Sequence, residues 1–397
     1  MSNSDKVLVM GACGNVGSKL VRILLDKGYD VRASDLEDAS KELLGDLDVE
    51  FVPGDITKPE TLQDVVEDVD AVFNTVSFLA YSNLISYEQM YKVNVEGERN
   101  LLEATMENND DLKAFIHWAS GETYGLGGLF EERYLHENGE SREDHPQTAS
   151  DAPYPKTKLL GERECWQYYE EKDLPLIVMR PSMIYGPEPS FEDRRWLRYS
   201  KYFMVMRDLV EMMGGWPGLL TFKNPLVHAE DSARAAAFLY ENKEEAIGEA
   251  FNIVDDQNYT MEDIVRFMFD YFGWDIQENP SASLKPLLKG LPLPKPTIRV
   301  FKKAYRAWMD EVREQGPIWW DSNYQDYYLE EMLSMENYCE DFKYSNRKIK
   351  DLGFEFKYPD VRDALPAIFE NWKEKDLVPE SSGFKHFFLK AFLLDER

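Results

Sequence analysis

Several residues far apart in this chain have the types and spacing to remove a hydride from a secondary alcohol. A hydride leaves readily only when the hydroxyl proton leaves with it, so such a site needs a base working near neutral pH. In "YPKTK", Tyr154 and Lys158 are four residues apart, and on a helix both face the same way. A free tyrosine ionises near ~10; a lysine one turn away, together with the positive charge of an oxidised nicotinamide, lowers that value. Lys158 can also hold the nicotinamide ribose. Ser120, in the upstream stretch "ASGETYG", would hydrogen-bond the substrate oxygen. Glu122 stands two residues further on, either as a second proton-transfer group or as a polar neighbour of the site without that role.

The cofactor would be held at the other end of the sequence. In "VLVMGACGNVGSKLVRILLDKGYDVRASD", Gly11, Gly14 and Gly17 follow an apolar run and open an amphipathic one. Glycines placed there allow a tight turn and close approach of the backbone to a pyrophosphate, which then lies on the positive end of a helix. Asp35 ends the next apolar run, eighteen residues after Gly17. Its carboxylate can accept hydrogen bonds from both adenosine ribose hydroxyls and would repel a 2′-phosphate, so NAD is expected over NADP. Arg32, three residues before it, keeps NADP as the second choice. Asp55, in "PGDIT", is placed either to bound an adenine pocket or as an ordinary turn aspartate. Cys13, inside the turn, is expected to serve as a small residue that fits.

The elements that must position these groups follow from periodicity. Apolar, β-rich runs at 6–10, 29–34, 49–54, 70–76, 113–120 and 174–181 alternate with amphipathic stretches at 16–27, 59–67, 87–106 and 154–172. That alternation predicts an α/β fold, a Rossmann-type doubly wound parallel sheet, with a smaller, mainly helical C-terminal substrate-binding domain. The nucleotide-binding domain is expected over 1–181, with 226–254 packing back on it as a helix and a strand. The substrate-binding cap is expected over 182–225 and 255–397. No internal repeat or low-complexity tract interrupts the pattern.

Composition narrows the function classes. The 397 residues include 43% hydrophobic and 13% aromatic side chains, enough to build a core. The 74 acidic against 45 basic residues give a formal charge of −29, which repels nucleic acid and anionic headgroups; no nucleic-acid partner is expected. No segment reaches the ~18 uncharged apolar residues needed to span a bilayer, and "MSNSDKVLVMGACG" has no signal-peptide layout. Cys13, Cys165 and Cys339 are odd in number and widely spaced, which suits free thiols in a reducing compartment. The expected location is cytoplasmic, and no metal site is expected. Between Lys285 and Trp308 seven basic residues occur with no acidic ones; this basic amphipathic segment reads either as a helix on the acidic body or as a patch that meets a membrane surface or an anionic substrate.

The G-x-x-G-x-x-G spacing resembles that of short-chain dehydrogenases/reductases, and the chain continues to match the extended branch of that superfamily. "YKVNVEGERNLLEA" is similar to N-V-x-G-T-x-N-L-L-E-A, "FIHWASGETYG" to F-V-Y-x-S-S-x-x-V-Y-G, "YPKTK" to Y-x-x-x-K, and "MRPSMIYGPEP" to R-P-x-x-x-Y-G-P. The resemblance implies a Ser120, Tyr154 and Lys158 triad in the roles argued above. It also implies a cofactor site made of Gly11, Gly14, Asn15, Val16, Gly17, Asp35, Asp55, Ile56, Thr75, Asn94, Tyr154, Lys158 and Pro181. Enzymes of this branch are commonly dimers, so a homodimer is expected.

Two substrate classes follow from that resemblance. The first is a nucleotide sugar, in an epimerase, dehydratase or decarboxylase reaction. Glu122 supports it, as do Arg194, Arg195, Arg198 and Arg207, which could bind a diphosphate. The aspartate used by some dehydratases would fall at Gly121 and is missing, and "LLTFKNPLVHAED" stands where a glycine-rich segment with an arginine is usual. The second is an apolar alcohol, since "APYPKTK", "MIYGPEPSF" and "NPLVHAEDSARA" are similar to segments of 3β-hydroxysteroid dehydrogenases. A third reading, a cofactor-binding sensor without catalysis, fits poorly because such proteins lack the tyrosine or the lysine.

Overall fold

The computed structural model describes residues 5–78, 86–124, 140–148, 153–186, 223, 225–257, 259–273 and 343–374. The basic segment 285–308, the arginines at 194–207, Cys339 and the apolar C-terminal stretch lie outside them.

Seven strands form one parallel sheet: β1 (Lys6–Met10), β2 (Asp30–Ser34), β3 (Glu50–Phe51), β4 (Ala71–Asn74), β5 (Ala114–Trp118), β6 (Leu176–Pro181) and, after two short strands, β9 (Glu249–Ile253). Their order is β3-β2-β1-β4-β5-β6-β9, so the sheet is wound outward in both directions from β1 and β4. The crevice at that reversal, outside the carboxyl ends of the strands, is where such sheets bind ligands. The strands read as nearly unbroken apolar runs because helices cover both faces. Alternate residues serve the two layers. Val7, Val9, Phe73, Ile116 and Ile177 belong to one core and Leu8, Met10, Val72, Phe115 and Val178 to the other.

On the first face lie α1 (Asn15–Asp26) and α6 (Ala229–Glu241). α1 buries Gly17, Leu20, Val21 and Leu24, a three- and four-residue spacing that makes one apolar stripe. His228 caps α6 by accepting the Glu230 N–H at 3.2 Å. On the second face α2 (Gln63–Val66) is followed by a continuous stretch made of α3 (Tyr87–Tyr91), a π-helical turn (Lys92–Gly97) and α4 (Glu98–Asn108). α5 (Pro153–Lys172) packs beside it. Pro153 and Pro155 are tolerated in its first turn, where backbone N–H groups have no partner within the helix. β7 (Met183–Tyr185) and β8 (Leu226–His228) pair as a separate parallel ribbon.

The chain divides into two compact units: 1–190 with 225–258 and 342–363, and 191–224 with 259–341 and 364–397. The pattern of the sequence assigns all of 255–397 to the cap, yet 342–363 belongs to the first unit. Backbone bonds between Ser141 and Lys343 (2.8 Å) and between Ser345 and Ser141 (2.9 Å) hold it there. The Asn346 amide reaches the Val254 carbonyl at 2.9 Å, and the backbone N–H groups of Lys357 and Tyr358 donate to Asp231 at 2.8 and 2.7 Å. These contacts pair residues about one to two hundred positions apart and leave no periodic trace. In the second unit, α7 (Met261–Tyr271) opens on a Thr260–Asp263 capping box, and the Tyr271 hydroxyl donates to Glu370 at 2.6 Å.

Candidate active site

β1 runs into the glycine turn at the carboxyl end of the sheet. Gly11 has φ +78°, a left-handed conformation that favours glycine. Its N–H and that of Ala12 donate to the Ser34 carbonyl of β2 at 2.9 and 3.0 Å. α1 then lies so close to the turn that a Cβ on Gly17 would be 2.1 Å from the Gly11 carbonyl oxygen. Asn15 and Val16 form the first helical residues above it. Thr75, just past β4, donates from Oγ1 to the Met10 carbonyl at 2.7 Å and lies where a Gly11 side chain would be. Glycines thus flank the turn at the positive end of a twelve-residue helix, a cradle suited to a dinucleotide pyrophosphate.

Asp35 lies at the rim of this cradle. Its carboxylate accepts the Cys13 N–H at 2.9 Å and the Leu36 N–H at 2.8 Å, and a carboxylate with about four lone-pair positions keeps capacity for two hydroxyl donors. Arg32 points elsewhere. Its guanidinium is buried on Glu50 (3.1 Å) and on the carbonyls of Asp64, Val65 and Glu67. The Cys13 thiol is pushed up to about 11 by burial and by the Asp35 charge, so it is a protonated filler at neutral pH.

Asp55 is a turn residue in geometry. Its Oδ1 accepts both the N–H (2.9 Å) and the hydroxyl (2.7 Å) of Thr57, and Lys58 pairs with Oδ2 at 2.9 Å. Burial acts to raise its pKa, but these partners hold the carboxyl below its ordinary value. Ile56 is buried against Gly97, and Asn100 clamps its carbonyl from α4 at 2.8 Å.

The helix that bears Tyr154 and Lys158 is bonded to the end of β5, just before Ser120. Ser120 is buried and its Oγ accepts the Glu122 N–H at 3.1 Å. Lys158 is buried, and its ammonium donates to the carbonyl of Trp118. That bond brings α5 to the strand end two residues before Ser120. Tyr154, one turn earlier on α5, is half-buried. Its carbonyl accepts the Thr157 hydroxyl at 3.0 Å, and Thr157 in turn accepts the Asn94 amide at 3.1 Å. Asn94 also brackets the backbone of Phe78, at 2.8 and 3.1 Å, and its carbonyl would be 2.2 Å from a Cβ on Gly161. It thus ties the loop after β4 to α5. Glu122 is half-buried in the short turn after Ser120. Gly121 lies under the Tyr344 ring, 2.8 Å from where its Cβ would be, so a side chain there would have to displace that ring. Pro181 ends β6, paired with Ile253 of β9.

Two buried polar groupings escape a reading by motif. Arg180 of β6 grips Glu162 of α5 at 2.6 Å and the Tyr124 hydroxyl at 2.8 Å. Deeper in the sheet, Glu98 accepts from the Asn74 amide (2.7 Å), His117 Nδ1 (3.0 Å) and the Cys165 thiol (3.2 Å). The ligand atoms of Glu98, His117 and Cys165 all lie within 4.8 Å of one another. Glu98 bonds to both of the others, and burial, followed by the Glu98 charge, keeps the Cys165 thiol well above its ordinary value. One signal was available: in "NVEGERN", Glu98 stands where the motif of the extended branch has threonine.

A third buried acid has a measurable consequence. Asp255 follows β9, and burial raises its carboxyl to about 9, with Asp360, Asp256 and Asp231 adding to the effect against one backbone hydrogen bond from Gln257. An unfolded aspartate ionises near ~3.9. The folded protein therefore binds the extra proton between those values, and this stabilisation, complete below about pH 4, is lost as pH rises toward 9. Asp255→Asn is expected to stabilise the protein by about 1–3 kcal/mol at pH 8 and by much less at pH 5. Thermal unfolding at the two pH values measures this; an equal or absent gain at both would disprove it.

The parallel sheet with its glycine turn at the switch point, together with the order of the sequence motifs, is the layout of an extended short-chain dehydrogenase/reductase. A family model bears this out: residues 7–254 match the NAD dependent epimerase/dehydratase family, and the chain belongs to that family. It is 24% identical over 313 residues to anthocyanidin reductase of Arabidopsis thaliana, covering 75% of this chain and 87% of that protein. It is 32% identical over 189 residues to the low-salt glycan biosynthesis protein Agl12 of Haloferax volcanii, covering 46% of this chain and 57% of that one. Among solved structures, UDP-glucose 4-epimerase of Thermotoga maritima has the same fold, with a TM-score of 0.63 over 93% of this chain and 99% of that one at 18% identity. No helix among the described residues is long and apolar enough to cross a membrane.

Proposed function

We propose that this chain is an NAD-dependent enzyme that moves a hydride at a secondary alcohol of a nucleotide-linked sugar and returns it within one turnover, as an epimerase does. The observation that carries the chemical half of this reading is the Lys158 bond to the Trp118 carbonyl, which brings the Tyr154 helix to the strand end that bears Ser120. Tyr154 takes the substrate hydroxyl proton. Lys158 favours the tyrosinate by its charge, and Ser120 holds the substrate oxygen. Bound NAD supplies the hydride acceptor. Gly11, Gly14 and Gly17 would hold its pyrophosphate and Asp35 its adenosine ribose. Arg32, occupied by Glu50 and three carbonyls, has no reach to a 2′-phosphate, which supports NAD over NADP.

The sugar half rests on the family and on the glycan-biosynthesis relative. Among sugar reactions, glycine at position 121 argues against a dehydratase that needs an acid there. A second reading, reduction or oxidation of an apolar alcohol, is favoured by the reductase relative, which matches along 87% of its length. One panel separates the two. The protein is loaded with NAD or NADP and exposed to UDP-, dTDP- and GDP-sugars and to sterol-like alcohols. The expected result is tighter NAD than NADP, binding of one free nucleoside diphosphate, and an epimerised sugar without net NADH. Accumulation of NADH from an apolar alcohol, with no nucleotide binding, would replace the first reading by the second.

A further inference from the structure

We propose that Glu162 is a positioning residue for this site: through Arg180 and Gln147, its buried carboxylate fixes the turn at Ser120 against the helix that bears Tyr154 and Lys158. The inference rests on the reading of those three residues given above.

Glu162 follows Lys158 by four residues on α5, as Lys158 follows Tyr154, so each is one helical turn from the next. It is fully buried. Arg180 of β6 contacts both its oxygens at 2.6–3.2 Å, and the Trp166 indole donates to Oε1 at 3.0 Å. Two hydrogen-bonded paths lead from this carboxylate to the turn Gly121–Tyr124. In the first, Arg180 Nη1 donates to the Tyr124 hydroxyl at 2.8 Å, and that hydroxyl donates to Asn252 Oδ1 of β9 at 2.8 Å. In the second, the Gln147 amide donates to Glu162 Oε2 and to Thr123 Oγ1, both at 2.8 Å. Thr123 then donates to the Ser120 carbonyl at 2.7 Å.

Ser120 lies beyond the end of β5, so the sheet ladder does not itself set its place. The Lys158 bond to Trp118 holds α5 to the strand, and the two paths from Glu162 hold α5 to the turn. A buried ion pair adds little net stability, because the desolvation of both charges roughly offsets their attraction. What the planar fork of Arg180 supplies is direction, since it reaches a carboxylate and a phenol at once. A reacting group misplaced by about 1 Å loses up to ~100-fold in rate. Geometry is therefore the larger effect of this network.

Cutting each path at its far end tests this while leaving the Glu162–Arg180 pair intact. Tyr124→Phe removes the hydroxyl that Arg180 reaches, and Thr123→Val removes the one that relays Gln147 to Ser120. The two are made singly and together, in the parent protein and in Ser120→Ala. Amide hydrogen exchange is expected to quicken at least ~10-fold at the Glu122 and Thr123 N–H groups, which bond to Ser120, and to change less than about twofold along α5. Turnover is measured on the compound of the panel above that the parent protein converts. In the parent background the combined variant is expected to lose about tenfold or more in kcat, with NAD affinity within about twofold. In Ser120→Ala the same pair is expected to cost less than about twofold, because the place of an absent hydroxyl no longer matters. Equal losses in both backgrounds, or unchanged exchange at the turn, would overturn the proposal. Failure of all the variants to fold and bind NAD would overturn it as well, by assigning the network to the fold alone. Full activity of Ser120→Ala, or conversion of no compound, would defeat the reading of the triad instead, and the exchange rates would still show whether Glu162 holds the turn.

Discussion

Tyr154→Phe is expected to lower turnover about 10³-fold while leaving NAD affinity within about twofold. The hydroxyl is the only atom removed, and it is the group that would take the substrate proton. Three contacts that position the helix do not involve it. Thr157 bonds to the Tyr154 carbonyl, Lys158 to the Trp118 carbonyl, and Asn94 to Thr157, and none of these contacts uses the phenol. Because Tyr154 is only half-buried, the variant should also unfold within a few degrees of the parent protein. Steady-state rates, NAD titration calorimetry and a thermal scan on one preparation test all three points. Activity above a tenth of the parent value would remove Tyr154 from the role of base, and lost NAD binding would make it a cofactor anchor instead.

Gly17→Ala is expected to weaken NAD binding at least ~100-fold and to destabilise the protein by about 2–4 kcal/mol. The added methyl would meet the Gly11 carbonyl oxygen at 2.1 Å, the Gly11 carbonyl carbon at 2.8 Å and the Ala12 Cα at 2.9 Å. All three are backbone, so no side chain can turn aside. α1 would have to lift off the turn, pulling its buried face, Leu20, Val21 and Leu24, away from the sheet. Gly14→Ala is the internal control. Its Cβ would approach only the Gly11 oxygen, at 3.2 Å, and a small shift accommodates it. Calorimetry with NAD and denaturant unfolding of both variants measure the contrast. Equal effects at the two glycines would disprove the steric argument.

The difference between these two glycines shows how far motif reasoning reaches. The three-residue spacing marks both as part of a cradle, but only the packing of α1 against the turn ranks them. Asp55 teaches the same lesson. Its type and place suited a pocket wall and a turn equally, and the Thr57 and Lys58 contacts show the turn role in detail. Arg32 is the converse case: three residues from Asp35 in sequence, its guanidinium is directed into Glu50 and the α2 carbonyls. Successive residues of a strand point to opposite faces, so closeness in sequence did not mean closeness in the site.

The sequence by itself determined the parallel sheet, its strands, the glycine turn and the four-residue step from Tyr154 to Lys158 on one helix. These are local properties: apolar period, residues tolerated at a positive φ, and a four-residue step on one helix. Tertiary structure alone decided the rest. It brought Glu98, His117 and Cys165 from α4, β5 and α5 into one buried cluster, paired Glu162 with Arg180, and returned residues 342–363 to the first unit. Such groupings depend on which elements become neighbours in the folded layer. Burial then sets their charges, and neither quantity is carried by spacing along the chain.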